Sequence, residues 1–462
     1  MSDPASVWVG AIDLDADRGI TSASGPITDY VQARVVVRLH GTPIGYVGIA
    51  AQPEDSLWHR ASAAAADALA ESLAQHHYLD HVAEADRQRG ETVEPPWAAR
   101  ASCPSHFSGP TGDGISVVIC TRDRPGTLRK CLEALQRSSY GPVEFLVVDN
   151  APAQSATRRV VTDLAGADPR IRYTCEPAPG LSRARNHGLA AAQFELIAFT
   201  DDDILVEPMW LNAVAAGFAA DPSTACVTGP VAARSLNSRA ERYFDSRYPW
   251  ADAFEPRRFD LELNRGHSPL YPFNAGIFGT GANFSIRKAI ADKLGGFDPL
   301  LGAGGPGKGG EDLDMFVRLV QAGYRISYLP AALVWHQHRS TDEALGHQVY
   351  GYGHGLGAYV AKRLVARDIS VRTLTHGLAH SIALAGRMRR AATASQQRAR
   401  SWRLAALEVS GVFVGAGRLL LAKRAREPAS MKTGSAEVQA GAASATASRE
   451  LSGSFVERAD RA

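Results

Sequence analysis

From residue 115 onward, short apolar runs alternate with amphipathic segments that have helical period. The apolar runs are rich in β-branched residues, as buried strands are. They read ISVVIC, EFLVVDN, IRYTC, LIAFT and ACVTGPV. The segments between them read GTLRKCLEALQRSS, SATRRVVTDLA, LSRARNHGLAAA and PMWLNAVAAGFAA. This alternation predicts an α/β fold, with a doubly wound, mostly parallel sheet that helices cover on both faces.

The remaining segments predict smaller units around this sheet. Residues 7 to about 50 predict strands, with a turn near Gly41–Gly45, and an Ala-rich helix follows them. Four regions are therefore expected along the chain. They are a small α+β domain and linker over 1–110, the alternating domain over 111–345, a basic helical region over 346–428 and a disordered tail over 429–462.

Bulk properties narrow the possible classes of protein. A chain of 462 residues predicts two or three domains, and a net charge of +2 gives no electrostatic basis for nucleic-acid binding. Five scattered cysteines without a CxxC pair predict reduced thiols, a cytoplasmic protein and no zinc site. The first residues lack a basic region followed by an apolar one, so we expect no signal peptide.

The C-terminal helical region carries many arginines and lysines. Its segment WRLAALEVSGVFVGAGRLLLAKRAR pairs apolar with basic faces, and Glu408 and Arg418 interrupt it, so we expect no spanning helix. Two interpretations stay open, a helix on an anionic membrane surface and a helix packed on the preceding domain. Upstream, GYGHGLG (351–357) is explained by close helix packing or a turn, without a cofactor.

Polar side chains follow three of the predicted strands, as TRDRP, DN and DDD. Ligands of open α/β sheets bind beyond the carboxyl ends of the strands. Three adjacent carboxylates repel one another, and a site that keeps them ionised usually supplies a cation. Their hard oxygens suit Mg²⁺ or Mn²⁺. In an extended segment Asp201 and Asp203 would project to the same side, whereas a helix-capping turn is the ordinary alternative.

A series of motifs in order along residues 114–345 resembles the nucleotide-sugar glycosyltransferases of the GT-A fold, glycosyltransferase family 2. The motifs are VVICTRDRP (117–125), FLVVDN (145–150), PGLSRARNHGL (179–189), FTDDD (199–203), GTGANFSIRK (279–288), GGEDLDMFVRLVQAGYRI (309–326) and VWHQH (334–338). The resemblance implies a GT-A domain and inverting transfer from a nucleotide diphosphate sugar to a hydroxyl of a glycan or lipid-linked acceptor. It also implies Mn²⁺ or Mg²⁺ as cofactor and one carboxylate base.

The same resemblance assigns roles to individual residues. The implied metal ligands are Asp203, Asp201 and His336, and the implied catalytic residues are the base Asp312 and its neighbour Glu311. The implied nucleotide-sugar-binding residues are Thr121, Arg122, Asp149, Arg185, Asp201, Asp202, Gly281 and Asn283.

Several of these residues also have ordinary structural explanations. Acids at positions 311 and 312 favour the start of a helix. Asp149 could close an Asx turn, His336 could bond the backbone at a strand end, and Asn283 could hold its loop.

Two other functions are alternatives to glycosyl transfer, that of a sugar nucleotidyltransferase and that of a non-catalytic nucleotide-sugar-binding module. A sugar nucleotidyltransferase would carry a Gly-rich basic signature near its first strand, which CTRDRP is not. A non-catalytic nucleotide-sugar-binding module would tolerate loss of the base or of the metal-binding carboxylates, and this chain has both. The segment GAGGPG (302–307) matches GxGxxG formally, but no strand precedes it, so we expect no dinucleotide site there. Its glycines predict either a loop that closes over the site or a plain flexible connection. By resemblance, peripheral contact with the inner face of the cell membrane is also expected.

Overall fold

The computed structural model describes residues 6–15, 19–51, 54–78, 113–248, 250–373, 375 and 396–426, of which 54–55, 396–401 and 426 are described by their backbone alone. The predicted linker and the predicted disordered tail lie outside these residues. The strands are β1 (Val7–Asp13), β2 (Ile20–Ser22), β3 (Gln32–Leu39), β4 (Thr42–Ala50), β5 (Ile115–Thr121), β6 (Val143–Asn150), β7 (Ile171–Glu176), β8 (Leu196–Asp201), β9 (Ile204–Val206), β10 (Thr224–Thr228), β11 (Val231–Ala233), β12 (Arg257–Phe259), β13 (Asn283–Arg287), β14 (Arg325–Tyr328) and β15 (Val334–His336). The helices are α1 (Glu54–Ala68), α2 (Pro125–Gln136), α3 (Ala156–Ala165), α4 (Leu181–Ala191), α5 (Trp210–Ala219), α6 (Arg239–Arg247), α7 (Lys288–Lys293), α8 (Glu311–Gln321), α9 (Asp342–Val365) and α10 (Gln396–Arg426).

An eight-stranded sheet forms the centre of the fold, in the order β12-β14-β10-β13-β8-β5-β6-β7. Strands β5, β6, β7 and β8 run parallel, as do β10 and β14, whereas β13 and β12 pair antiparallel with their neighbours. Consecutive residues of β5 enter different cores, since Val117 packs into one cluster and Val118 into the other. Both faces are thus covered, and the predicted α/β class with a mostly parallel sheet is confirmed.

The N-terminal residues form a four-stranded sheet, β2-β1-β3-β4, against which α1 packs. The turn between β3 and β4 lies at His40 and Gly41, both with positive φ, slightly earlier than predicted. The outer face of this sheet packs on a small three-stranded sheet, β11-β15-β9. Val36 and Trp335 meet in that contact, and Arg38 pairs with Glu207 at 2.7 Å. The N-terminal unit is therefore attached to the strand that carries His336.

Helices α9 and α10 pack backbone against backbone. A Cβ atom at Gly353 would collide with the carbonyl oxygen of Glu408, and one at Gly357 with that of Val412. Conversely, a Cβ at Gly415 would collide with the backbone of α9. Close helix packing therefore explains Gly353 and Gly357, whereas Gly355 meets Gly309 of the glycine-rich loop and a Cβ atom at Gly351 would have open space. The predicted boundary between 345 and 346 falls inside α9.

One helix in the described part of the chain, Trp402–Ala425, is long and apolar enough by length and composition to cross a membrane. Its most apolar window of 18 residues has a mean hydropathy of 1.7, and 22% of that window is buried. By length and composition alone, Glu408 and Arg418 therefore do not exclude this segment as a span. Core helices of soluble proteins pass the same test, so the result alone does not assign a membrane span.

Candidate active site

Three parallel strands bring their carboxyl ends to one edge of the large sheet. The register pairs Thr121 with Asp149 across β5 and β6, and Cys120 with Asp201 across β5 and β8. Parallel strands place successive C-terminal residues at a common edge, which is where such sheets bind ligands. The motifs that are far apart in the sequence therefore meet here.

The three aspartates do not lie on one extended segment. Asp201 ends β8, and the chain turns at Asp202 and Asp203 before β9 begins. Asp202 accepts a hydrogen bond from Thr121 Oγ1 at 2.6 Å and pairs with Arg124. The extended segment assumed for these three residues is thus absent, and Asp202 and Asp203 share Arg124 as a partner.

That partner, Arg124, was missed by the sequence analysis. Its Nη1 donates to Asp202, and its Nη2 donates to Asp203 Oδ2 at 2.7 Å. By contrast, the Arg122 side chain is 52% exposed, and its ion-pair partner is Asp123, at 3.9 Å, rather than Asp202 or Asp203. Both arginines belong to TRDRP, and only the position of Arg124 directly before the first turn of α2 distinguishes it.

The carboxylates differ in how readily they ionise. Burial raises the pKa of Asp201 to about 7 against the opposing charge of Arg185. Burial also raises the pKa of Asp202 to about 6, although Arg124 opposes the change. Burial disfavours the charged form of Asp203 as well, but its cationic neighbours outweigh that cost and hold its pKa below the usual value. Asp203 is thus the most acidic of the three.

His336 ends β15 beside this cluster. Its Nε2 lies 3.5 Å from Asp203 Oδ1, and its Nδ1 lies 3.1 Å from Nδ1 of His338. Burial lowers the pKa of His336 to about 4, so the ring is neutral at pH 7. The structural alternative for this histidine, a bond to the backbone, is not what the structure shows for its two ring nitrogens.

The two histidines share one tautomer choice. Nε2 of His336 lies 3.5 Å from Asp203 Oδ1 and Nε2 of His338 lies 4.0 Å from Asp245 Oδ1, and a carboxylate can only accept. With one hydrogen on each ring and an Nδ1–Nδ1 hydrogen bond between them, only one of the two Nε2 atoms carries a hydrogen. A metal ion at Nε2 of His336 would need the arrangement in which Nδ1–H of His336 donates to Nδ1 of His338 and Nε2–H of His338 faces Asp245.

Within the described residues, no group of three or more His, Cys, Asp or Glu side chains converges closely enough to hold a metal ion. Asp203 Oδ1 and His336 Nε2 nonetheless supply an oxygen and a nitrogen side by side, which suits Mn²⁺. The other oxygen of Asp203 is engaged by Arg124 and, at 3.8 Å, by Arg339. The residues present fit two positions of a divalent ion whose remaining ligands come from phosphates and water.

Arg185 is a buried cation that connects Asp201, Gly281 and Glu311. It donates to Glu311 Oε1 and to the carbonyl oxygen of Gly281, both at 2.8 Å, and lies 3.9 Å from Asp201. The rings of three phenylalanines surround its guanidinium carbon at 5.4 to 5.7 Å. Burial raises the pKa of Glu311 although Arg185 opposes this. Glu311 holds Arg185 in place through the hydrogen bond to its Oε1.

Asp312 opens α8 and faces the site with a half-buried side chain. Its Oδ2 accepts the backbone N–H of Gly281 at 2.7 Å, and its Oδ1 accepts the N–H of Leu313 at 2.9 Å. A Cβ atom at Gly281 would lie 2.9 Å from Asp312 Oδ2 and 3.0 Å from Nη2 of Arg185. Only glycine lets the acid and the arginine approach this loop so closely.

Asp149 is fully buried near the end of β6, and its two oxygens differ in their partners. Oδ2 accepts a hydrogen bond from Tyr173 Oη at 3.0 Å, whereas Oδ1 has no hydrogen-bond partner among the described residues. Burial raises the pKa of this carboxyl group. A buried acceptor without a partner is costly, so it fits a donor group on a bound ligand.

Asn283 does not fit the predicted role in sugar binding. Its Oδ1 accepts from Trp210 Nε1 at 3.0 Å. Its Nδ2 donates to the carbonyl oxygens of Pro230 at 3.1 Å and Ala332 at 2.7 Å. The amide is buried and both its hydrogens are used. The predicted role in sugar binding is therefore replaced by a structural one, in which Asn283 holds its loop in place.

A cavity of about 410 Å³ is lined by part of this group of residues. Its lining includes Asp201, Arg185, Gly281, Asp312, His336 and, from α10, Glu408. Three aromatic side chains that no motif indicated also line it, Tyr248, Trp250 and Tyr352. The glycine-rich loop borders it through Ala303 and Lys308, and is itself held by hydrogen bonds such as Gly307 N–H to Leu300 O at 2.8 Å. A second cavity, of about 470 Å³, lies between the N-terminal sheet and β12 and is remote from these groups.

Residues 111–349 match the family described as glycosyltransferase-like family 2, which is more than half of the chain. The chain belongs to that family. As a family 2 member with this sheet, it has the α/β architecture of the GT-A type that the motifs predicted, with a small N-terminal α+β unit and a helical C-terminal extension.

Individual relatives of this family 2 chain match over its central part. The pre-mycofactocin glycosyltransferase of Mycobacterium tuberculosis is 30% identical over 243 residues, covering 52% of this chain and 46% of that protein. The glucosyl-dolichyl phosphate glucuronosyltransferase of Haloferax volcanii is 22% identical over 227 residues, covering 48% of this chain and 69% of its own length. The chain thus spans less than half of the Mycobacterium relative.

A solved mannosyltransferase of Pyrobaculum calidifontis, in complex with GDP-Man and Mn²⁺, is 18% identical, with a TM-score of 0.42. That comparison covers 81% of this chain and 90% of the other. The overall similarity is too low to carry an argument.

Proposed function

We propose that this protein is a metal-dependent, inverting glycosyltransferase that moves a sugar from a nucleoside diphosphate sugar to an acceptor hydroxyl. One observation carries the proposal. A single cavity is lined by Asp201, by the candidate metal ligand His336 and by the candidate base Asp312. The reaction needs such a pairing, because a cation must face the departing diphosphate while a base faces the attacking hydroxyl.

Donor binding is assigned to the ends of the parallel strands. Asp149 Oδ1, buried and without a partner in the described chain, would accept a hydrogen bond from the nucleotide base. Thr121 is engaged by Asp202 and would act by fixing that aspartate. Arg185 would place positive charge along the cavity wall next to Asp201.

Asp203 Oδ1 and His336 Nε2 would hold the divalent ion. When bound, Mn²⁺ or Mg²⁺ supplies positive charge against the negative charge that develops on the departing diphosphate. Arg124 and Arg339 would add two further cations at the same carboxylate cluster. The chain would therefore concentrate positive charge at the leaving-group end.

Asp312 would act as the general base. Its carboxylate takes the proton of the acceptor hydroxyl while that oxygen bonds to the anomeric carbon and the bond from carbon to the diphosphate oxygen breaks. Attack from the face opposite the leaving group inverts the configuration. The Gly281 N–H and the start of α8 hold the carboxylate in place, which is the positioning that a base requires.

The exposed face of α10 supports peripheral contact with an anionic membrane. Trp402, Val409, Phe413 and Leu420 are all at least 40% exposed and lie on one helix face. The basic residues with exposed side chains on this helix are Arg403, Arg418, Lys423 and Arg424. An apolar stripe with neighbouring cations is typical of helices that lie on anionic lipid surfaces.

This placement favours a glycan or lipid-linked acceptor presented at the inner face of the membrane. The Haloferax relative is named for glucosyl-dolichyl phosphate, a lipid-linked sugar, which is consistent with that class of acceptor.

A nucleotide-sugar screen tests the proposal. Purified protein is incubated with Mn²⁺ and individual nucleotide sugars in a thermal-shift assay, and products formed with candidate acceptors are identified by mass spectrometry. Release of a nucleoside diphosphate with a glycosylated acceptor supports the proposal. Release or consumption of pyrophosphate would indicate a nucleotidyltransferase, and binding without any turnover would indicate a non-catalytic module.

A further inference from the structure

Helix α10 contributes one acidic side chain to a helix that is otherwise cationic. Its 31 residues contain Glu408 as the single acid, alongside seven arginines and lysines. This acid does not face solvent, since its side chain is only 21% exposed and lines the cavity that also holds Asp312. The charge pattern of the helix does not explain why a carboxylate stands at this position.

The position of Glu408 along the cavity is fixed by the packing of the two helices. Its carbonyl oxygen contacts Gly353, and Gly411, one turn later, contacts the carbonyl oxygen of Tyr350. Because the backbones touch at these glycines, α10 cannot slide or rotate without creating a steric clash. The carboxylate is thus carried into the site by a rigid element.

Two donors orient the carboxylate. Tyr248 Oη donates to Oε1 at 3.1 Å, and Arg247 Nη2 donates to Oε2 at 3.0 Å. Each oxygen of a carboxylate has a further lone-pair site, so both can accept another hydrogen bond. The two oxygens of Glu408, which could accept hydrogen bonds from ligand hydroxyls, are therefore held in a fixed orientation on the cavity wall.

The aromatic residues of the cavity stand beside this carboxylate. The rings of Tyr248 and Tyr352 meet edge to face at 5.4 Å, and Trp250 lies 6.0 Å from Tyr352. Aromatic faces offer broad apolar contact, and a few polar groups in such a pocket fix orientation. A ring with apolar C–H faces and hydroxyls at its rim, such as a pyranose, satisfies both.

We infer that Glu408 and these three aromatic residues form an acceptor subsite, in which the carboxylate accepts hydrogen bonds from hydroxyls of a sugar ring. The inference rests on the proposed function, because it places the acceptor opposite the base Asp312. It gives the C-terminal helix a role in choosing the acceptor. Glu408 is a specificity residue in this account and takes no proton.

Saturation-transfer NMR tests the subsite without turnover. The full-length protein is mixed with methyl glucoside, methyl mannoside or methyl N-acetylglucosaminide, and transfer to the ring protons is measured. We expect transfer to at least one probe in the wild type and a loss of about tenfold in affinity in Glu408→Gln, since a charged hydrogen-bond acceptor is lost. Glu133→Gln, an exposed acid on α2, serves as the matched control and should bind like the wild type.

A donor measurement separates a subsite from a structural role. Binding of nucleoside diphosphate with Mn²⁺ should be unchanged in Glu408→Gln, and the melting temperature should change little. One of the two donors can still bond the amide oxygen, and the lost ion pair is to Arg247, whose side chain is 51% exposed. Absence of saturation transfer to all three probes in the wild type, or undiminished transfer in the variant, would overturn the inference. Failure of the proposed function would instead show as lack of nucleoside diphosphate release.

Discussion

Nδ1 of His336 lies 3.1 Å from Nδ1 of His338, and the second ring nitrogen of each histidine faces a carboxylate. On one side Nε2 of His336 approaches Asp203, and on the other Nε2 of His338 approaches Asp245. Asp245 also pairs with Arg34 of the N-terminal sheet. A continuous series of polar contacts therefore links the N-terminal unit to the candidate metal position.

Asp245→Asn should weaken metal binding through this histidine pair. A metal ion at Nε2 of His336 needs Nε2–H of His338 to face an acceptor, whereas an asparagine amide that donates to His338 favours the arrangement with a hydrogen on Nε2 of His336. We expect Mn²⁺ affinity to fall by about 10–100-fold, as for other groups that orient a ligand histidine. Calorimetry measures the affinity, and ¹⁵N NMR of the metal-bound protein reports the tautomer. Asp252→Asn, an exposed acid nearby, is the control, and equal Mn²⁺ affinities in the wild type and Asp245→Asn would contradict this coupling.

Removal of Arg124 should make stability depend more strongly on pH. In EDTA, the pKa values of Asp201 (about 7) and Asp202 (about 6) lie above the usual value for aspartate, so the native state binds protons that the unfolded state releases. Stability should therefore fall as pH rises from about 4 to about 7. Arg124→Met raises the pKa of Asp202 further. The stability of this variant should therefore fall by more as pH rises, and the fall should extend to higher pH.

Thermal unfolding at pH 5 and pH 8 measures this effect. The loss in melting temperature caused by Arg124→Met should be at least about 3 °C larger at pH 8 than at pH 5, which corresponds to about 1 kcal/mol. Arg122→Met removes the neighbouring exposed arginine and should change little at either pH. Equal losses at the two pH values would show that Arg124 does not compensate the carboxylates.

Gly281→Ala should reduce turnover while donor binding persists. The added methyl group would press on Asp312 Oδ2 and on Arg185, displacing the candidate base. A misplacement of about 1 Å can cost about 100-fold in rate. Steady-state kinetics and donor binding are compared with Gly276→Ala, which lines the same cavity but has open space for a Cβ atom. Wild-type turnover in Gly281→Ala would show that this contact does not position the base.

Much of the architecture could be predicted from the sequence, because buried parallel strands need continuous apolar runs and their carboxyl ends bind ligands. The same reasoning predicted that Asp201 and the other acids would gather at one edge. It could not predict the turn after Asp201, because a tripeptide of aspartates has no periodicity to read. The choice between Arg122 and Arg124 also depends on where α2 begins.

Contacts between distant segments were beyond the sequence altogether. Glu408 reaches the cavity only because glycines on α9 and α10 let the two backbones touch. Asn283 was assigned to the sugar because it stands in a motif, whereas its burial against Trp210 became visible only in three dimensions. Motifs fix which residues share a region, and packing decides which atoms face the ligand.

Phe413→Glu should weaken binding to anionic membranes. Phe413 is 74% exposed on the apolar face of α10, and burying such a side chain contributes about 1.5–3 kcal/mol. We expect affinity for phosphatidylglycerol vesicles to fall by about tenfold or more in a flotation assay. Leu263→Glu, at a residue 90% exposed on the catalytic domain, is the control. Retention of the native protein in membranes after an alkaline carbonate wash would contradict surface binding and indicate a spanning helix.

The central claim concerns the role of Asp312, and single-turnover transfer by Asp312→Asn tests it most directly. The donor is the nucleotide sugar with the largest Mn²⁺-dependent thermal shift, and Glu343→Gln, an exposed acid at the start of α9, is the matched control. The account predicts donor affinity close to that of the wild type and a transfer rate lowered by about 10²–10⁴-fold. A transfer rate in Asp312→Asn equal to that of the wild type would contradict it.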